Sequence, residues 1–258
     1  MMLEIAACKD PCMHDDEYRR MIAAGERHWW YRATRSLLEG LVAPHLGSVD
    51  EGTVCLDAAG GSGATGSWLA DRALTVLDDF ELVALRAAAE DHAGYRPVRA
   101  DLNSLPHRTG SFDVVLCVTA LYHKMNPDPQ AVVDEFVRVT KPGGLVCLME
   151  PGGKRLWRGH DEVTQAARRF SLAEMRSLTQ RAGLDLVRAT GAYSFLVPPA
   201  AVMGMIERGK NTSDVGRNET GLGGLLGQVA RVERALLRRV SLPFGLSVIA
   251  IGRKPPDH

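Results

Sequence analysis

The feature that leaves this chain fewest options is a rhythm: short β-branched runs alternate with longer stretches of helical spacing. The runs are TVCLDA (Thr53–Ala58), LTVLD (Leu74–Asp78), PVRA (Pro97–Ala100), FDVVLCV (Phe112–Val118) and LVCLME (Leu145–Glu150). FELVALRAAAEDH and PQAVVDEFVRVT lie between them as helix candidates. This is the pattern of βαβ units on a mostly parallel sheet. A run such as VVLCV, apolar at consecutive positions, suits a strand covered on both faces. LDLVRAT (Leu184–Thr190) and LSVIAIG (Leu246–Gly252) add two strands and bring the expected sheet to seven. The expected fold is α/β, in three layers.

At 258 residues the chain has room for one large domain with elaborations. Residues 12–45 read as a helical lid rich in aromatics and arginine, and 50–192 as the core. Residues 193–243 read as a cap inserted before the last strand at 244–254. Within the insertion, GKNTSDVGRNETGLGG (209–224) is a polar, glycine-rich loop. The helix after it, GQVARVERALLRRV, places Val229, Val232, Leu236 and Val240 on one face, which is expected to pack on its own domain. KPGG (Lys141–Gly144) is expected to turn the chain from a helix into the fifth strand.

Charge and cysteine content narrow the class. Basic and acidic residues balance at 31 each, but residues 1–129 carry 12 against 19 and residues 130–258 carry 19 against 12. The net zero is therefore −7 in one half and +7 in the other, which argues against a nucleic-acid partner. No window approaches the ~18 uncharged apolar residues of a membrane span. MMLEIAACKD lacks the features of a secretory signal, so a cytoplasmic location with no membrane partner is expected. The five cysteines (8, 12, 55, 117, 147) are read as reduced thiols, three of them inside apolar strands. Cys8, Cys12 and His14 are three spaced ligands near a chain terminus, weak grounds for a metal site, and none is expected.

The most informative stretch is VCLDAAGGSGATG (Val54–Gly66): a strand ending in Asp57, then a glycine-rich turn leading into a helix. Such a turn lets a ligand approach the backbone at the carboxyl end of a central strand. GSGATG also matches the dinucleotide pattern G-x-G-x-x-G. The Asp57 carboxylate would oppose a pyrophosphate there and welcome a cationic ligand.

These residues, with TVLD, RADLNSLPHRTGSFDVVLCVTALYH (Arg99–His123) and FVRVTKPGGLVCLMEP (Phe136–Pro151), resemble the class I S-adenosylmethionine-dependent methyltransferases, specifically the type 11 family. The resemblance implies a Rossmann-like fold with S-adenosyl-L-methionine as cofactor and S-adenosyl-L-homocysteine as product. It implies that Asp57 and the backbone of Ala59 and Gly61 hold the methionine portion. Asp78 would take the ribose, with Asp79 as the less favoured neighbour. Asp101 would meet the adenine amino group, beside Leu102, while Val118 and Thr119 pass near the sulfonium. Ala59 departs from the family's usual glycine at the start of the triplet.

His123, in ALYHKMNP after the fourth strand, is the candidate catalytic base. His28, Trp30, Tyr31, Tyr122, His160, Arg169, Tyr193 and Phe195 are the candidate acceptor-site residues. The reading is methyl transfer by in-line displacement to oxygen or nitrogen, and less readily carbon, of a small molecule such as a specialised metabolite or its precursor. A non-methylating reaction on the same fold and a peptide or protein methyltransferase are the alternatives. The basic Arg155–Arg169 segment suggests an anionic acceptor, and the chain is expected to be a monomer or homodimer.

Overall fold

The structure, a computed structural model, describes residues 19, 22–25, 28–47, 49–206 and 222–256. The cysteines and histidine at 8, 12 and 14 lie outside these residues, as does most of the 209–224 loop. Seven strands form one sheet: β1 (Val54–Ala58), β2 (Leu74–Asp79), β3 (Tyr95–Arg99), β4 (Phe112–Val118), β5 (Thr140–Pro151), β6 (Asp185–Ala192) and β7 (Ser247–Arg253). Their order is β3-β2-β1-β4-β5-β7-β6, with β7 antiparallel to both neighbours and the other pairings parallel. KPGG is not a turn ahead of β5 but part of it, since pairing with β4 resumes after a register shift between Phe112 and Val114.

Strand alternation divides the core between two faces. On β4, Val115 and Cys117 join Phe136 and Met175 on one side. Val114, Leu116 and Val118 join Leu38, Leu41 and Leu237 on the other. Cys55, Cys117 and Cys147 are free, buried thiols within these layers. The first side is covered by α4 (Pro129–Val139) and α6 (Leu172–Arg181), the second by α1 (Trp29–Val42) and α8 (Leu222–Leu237). Asp128 starts α4 by accepting from the N–H groups of Gln130 and Ala131, with Pro129 at the first helical position. Ser171 and Glu174 cap α6 reciprocally. Between α1 and α8 in chain order also lie α2 (Ser67–Ala70), α3 (Leu82–Asp91), α5 (Gly159–Val163) and α7 (Val197–Ile206).

The expected face of α8 is corrected. Its buried positions are Ala230 and Leu237, joined by Glu233, whose carboxylate accepts from the backbone of Tyr193 and Ser194 at 2.7 Å each. That inward anchor rotates Val232 (71% exposed) and Leu236 (47%) toward solvent, and Val240 (43%) lies past the helix end. No described helix is long and apolar enough to cross a membrane.

Candidate functional site

Between β1 and β4 the strand order reverses, so the loops leaving their carboxyl ends diverge and open a crevice. A cavity of about 630 Å³ occupies this place, within the usual size for a small-molecule site.

One end is built by the loop after β1. Asp57 lies beneath this loop, fully buried, and accepts from the Tyr95 hydroxyl at 2.7 Å. A Cβ on Gly66 would stand 2.1 Å from Asp57 Oδ2, so only glycine lets the loop close over the carboxylate. Gly61 adopts φ +60 and a Cβ there would meet nothing, which leaves its outer side open to the cavity. Ala59 also has positive φ, at 53°, so the residue that departs from the family pattern adopts the left-handed turn despite its methyl group. Burial pushes Asp57 up to about 7, opposed by the Tyr95 hydrogen bond and reinforced by the nearby charges of Asp79 and Asp78.

The two acids ending β2 separate by strand alternation. Asp79 is on the cavity wall, where it accepts from Gly61 N–H and Glu81 N–H at 2.9 Å each. Asp78 is fully buried off the wall and meets His107 Nε2 at 2.8 Å. Burial raises Asp78, with His107 opposing the shift. The structure therefore places the less favoured neighbour where a ligand can reach it, and the preferred acid in a buried pair. Asp101 and Leu102 reach the same wall, and Asp101 Oδ1 accepts from the backbone and side chain of Asn103.

The acids of this end are Asp79, Glu81 and Asp101, and no lysine or arginine among its described residues accompanies them. A phosphate-bearing ligand would find three carboxylates and no cation. A cationic, phosphate-free ligand fits the donor set.

Val118 and Thr119 form the middle of the wall, with Thr119 at φ +53 and its N–H donating to Met149 O at 2.7 Å. The turn that follows is pinned by Glu150, which sequence reasoning passed over. Fully buried at the end of β5, its carboxylate accepts from the N–H groups of Ala120, Leu121 and Tyr122 at 2.9–3.1 Å. Burial pushes it up to about 8 against the pull of those donors. The available signal was an acid ending the otherwise apolar run LVCLME.

Beyond Glu150 the candidate acceptor residues divide. His28, Trp30, Tyr31, Tyr122, His123, His160 and Arg169 line the cavity, whereas Tyr193 and Phe195 do not. Tyr193 turns into the core at φ +56, where its hydroxyl meets Thr34 Oγ1 at 2.8 Å and its ring meets Trp29 edge-on. Phe195 packs beside it. Arg169 reaches the wall with its charge already paired: Nε and Nη2 each donate to Asp161 at 2.8 Å, and Nη1 donates to Gly152 O.

His123 is held by the backbone of its own turn. Its Nδ1 accepts the Met125 N–H at 3.1 Å, so in the neutral ring the proton is on Nε2. Burial lowers its pKa, aided by Lys124, and favours this neutral state. The ring is thus set to donate a hydrogen bond rather than to take a proton.

Residues 56–148 match a family of methyltransferase domains, type 11. Over these residues the chain is similar to that family, and the seven-stranded sheet around them has the class I methyltransferase fold. Over 101 residues the chain is 41% identical to an uncharacterized methyltransferase of Mycobacterium sp. strain JLS, covering 38% of each chain. Over 160 residues it is 31% identical to a demethylmenaquinone methyltransferase of Clavibacter sepedonicus, covering 58% of this chain and 60% of that one. The matched part thus spans between about two-fifths and three-fifths of these two relatives. A putative methyltransferase of Haloferax volcanii, solved in complex with the Trm112 activator, shares the fold at TM-score 0.62. That likeness covers 95% of this chain and 97% of the other at 21% identity.

Proposed function

We propose that the chain is an S-adenosylmethionine-dependent methyltransferase acting on an oxygen or nitrogen, and less readily a carbon, of a small molecule. The carrying observation is the acidic, phosphate-excluding end of the cavity: Asp79 beneath the open side of Gly61, with Asp101 and Leu102 facing it. In this reading Asp79 takes the ribose hydroxyls and Asp101 the adenine amino group. The backbone from Ala59 to Gly61 meets the methionine portion, and Asp57 serves from below by fixing that loop.

When bound, the cofactor supplies an electrophilic methyl group on a sulfonium. The chain's task is then alignment and exclusion of water. Thr119, held by Met149, and the Glu150-pinned turn fix one side of the methyl path. His123 offers its Nε2 proton to the acceptor and orients a lone pair toward the methyl carbon. The proton displaced from the acceptor leaves to solvent, because no ring nitrogen of His123 is open to receive it. Trp30 and Tyr31 line the same cavity.

Calorimetry with S-adenosylhomocysteine tests the reading: micromolar or tighter binding by the whole chain is expected, and absence of binding would reject it. Recovery of unchanged S-adenosylmethionine after acceptor turnover would instead favour a non-methylating reaction on the same fold.

A further inference from the structure

The outer face of α8 takes no part in the cavity. Of the nine large apolar side chains left exposed among the described residues, four lie between 232 and 244: Val232, Leu236, Val240 and Phe244. Single exposures scattered over a surface are ordinary, whereas a cluster marks a surface with a partner. The first three are four residues apart. Helical bonding continues past the end of α8, with Arg238 N–H donating to Arg234 O and Val240 N–H to Leu236 O, so the three share one stripe. Phe244 follows on a segment tied to β6: Gly191 N–H donates to Leu242 O and Ser194 Oγ to Phe244 O, at 2.8 Å each.

Arginines accompany the stripe. Arg231, Arg238 and Arg239 are exposed, and none of them meets a carboxylate among the described residues. Nearby acids are engaged elsewhere. Glu233, the only acid in α8, accepts from the backbone of Tyr193 and Ser194. Glu39 of the neighbouring α1 pairs with Arg72. Arginines near a helix C-terminus commonly bond its last carbonyls. Here Arg188 of β6 does so, donating to Leu237 O and Val240 O, and Arg238 and Arg239 are left to face solvent.

We propose that this face docks on an anionic membrane surface. Val232, Leu236, Val240 and Phe244 enter the headgroup boundary, and Arg231, Arg238 and Arg239 meet lipid phosphates. Docking of this kind uses an apolar face with cations beside it and requires no spanning helix. The sequence reading expected no membrane partner and packed this stripe on its own domain; the exposure of the stripe removes that use for it. A second copy of the chain fits less well, because a two-fold contact through this face sets its arginines against their own counterparts. An acidic protein would need a groove shaped for a convex helix, whereas a bilayer needs no matching shape.

Vesicle co-sedimentation of the whole chain tests this, using phosphatidylcholine alone and with about one part in three of phosphatidylglycerol. Binding is expected to the anionic vesicles only, and to fall as salt rises. Arg238→Gln and Arg239→Gln should each weaken it about fivefold, the worth of one arginine at such a surface. Val232→Asp, at a 71% exposed position, should weaken it about tenfold, and all three variants should keep the circular dichroism of the parent. Equal binding to both vesicle types, binding to neither, or anionic binding indifferent to all three substitutions would overturn the proposal. A dimer in light scattering that Val232→Asp dissolves would give the face to a second copy instead. Binding to poly-L-glutamate but not to vesicles would give it to an acidic protein.

Discussion

The two ends of the cavity are built on opposite principles. At the cofactor end a short loop is over-determined by buried carboxylates: Asp57 under Gly66 and Asp79 bonded to Gly61 and Glu81. At the other end one wall is made by apolar side chains of two helices, Pro199, Ala200 and Met203 of α7 and Leu226 of α8. Buried polar networks fix one geometry, because each carboxylate needs its donors in place. Apolar contact is non-directional and tolerates many shapes. One end is suited to a single ligand shape, while the apolar wall constrains shape less.

If that contrast holds, Gly66→Ala should be the most damaging single change, since its Cβ would stand 2.1 Å from Asp57 Oδ2. A loss of about 3–5 kcal/mol is expected in urea unfolding. Asp161→Asn probes the buried ion pair on the cavity wall. Uncoupling the buried Arg169 should cost about 3–5 kcal/mol at most, and less if the amide keeps one bond. Ala59→Gly relieves a left-handed alanine at φ 53 and should raise stability by about 0.5–1 kcal/mol, or at least not lower it. Val232→Asp, on the exposed side of α8, should shift stability by less than about 0.5 kcal/mol.

The pH dependence follows from Asp57. Burial raises its carboxyl from 3.8 to about 7 in the folded chain, so folding favours the protonated form. Its contribution is fully present below pH 3.8, declines as pH rises toward 7 and is gone above. Asp57→Asn should flatten the slope of unfolding free energy across that window. An unchanged slope would assign it to other groups, with Asp78 and Glu150 first among them.

Much of this molecule was legible in the chain. Short β-branched runs mark the strands, and those of β1, β4 and the second half of β5 are apolar at consecutive positions because these strands pack on two faces. The acids ending β1 and β2 and the one just past β3 mark the acidic end of the cavity. What stayed hidden depended on direction rather than on presence. Asp78 and Asp79 differ by one residue, and only the pleat decides which faces the cavity. α8 carries two candidate stripes, and the inward one was chosen by Glu233 reaching the backbone at Tyr193, a contact across 40 residues. Tyr193 was drawn from the site by one left-handed backbone turn. Arg169 read as an open charge because its partner Asp161 gives no local signal.

The central claim is that Asp79, not Asp78, meets the ligand at the acidic end. Isothermal titration with S-adenosylhomocysteine on Asp79→Asn and Asp78→Asn, each checked for folding by circular dichroism, measures it directly. Asp79→Asn should weaken binding by about 1.5–3 kcal/mol, the worth of hydrogen bonds to a charged group. Asp78→Asn, which keeps a side-chain acceptor for His107, should weaken it by less than about 1 kcal/mol. The reverse order, with Asp78→Asn the larger loss in a folded protein, would contradict the account.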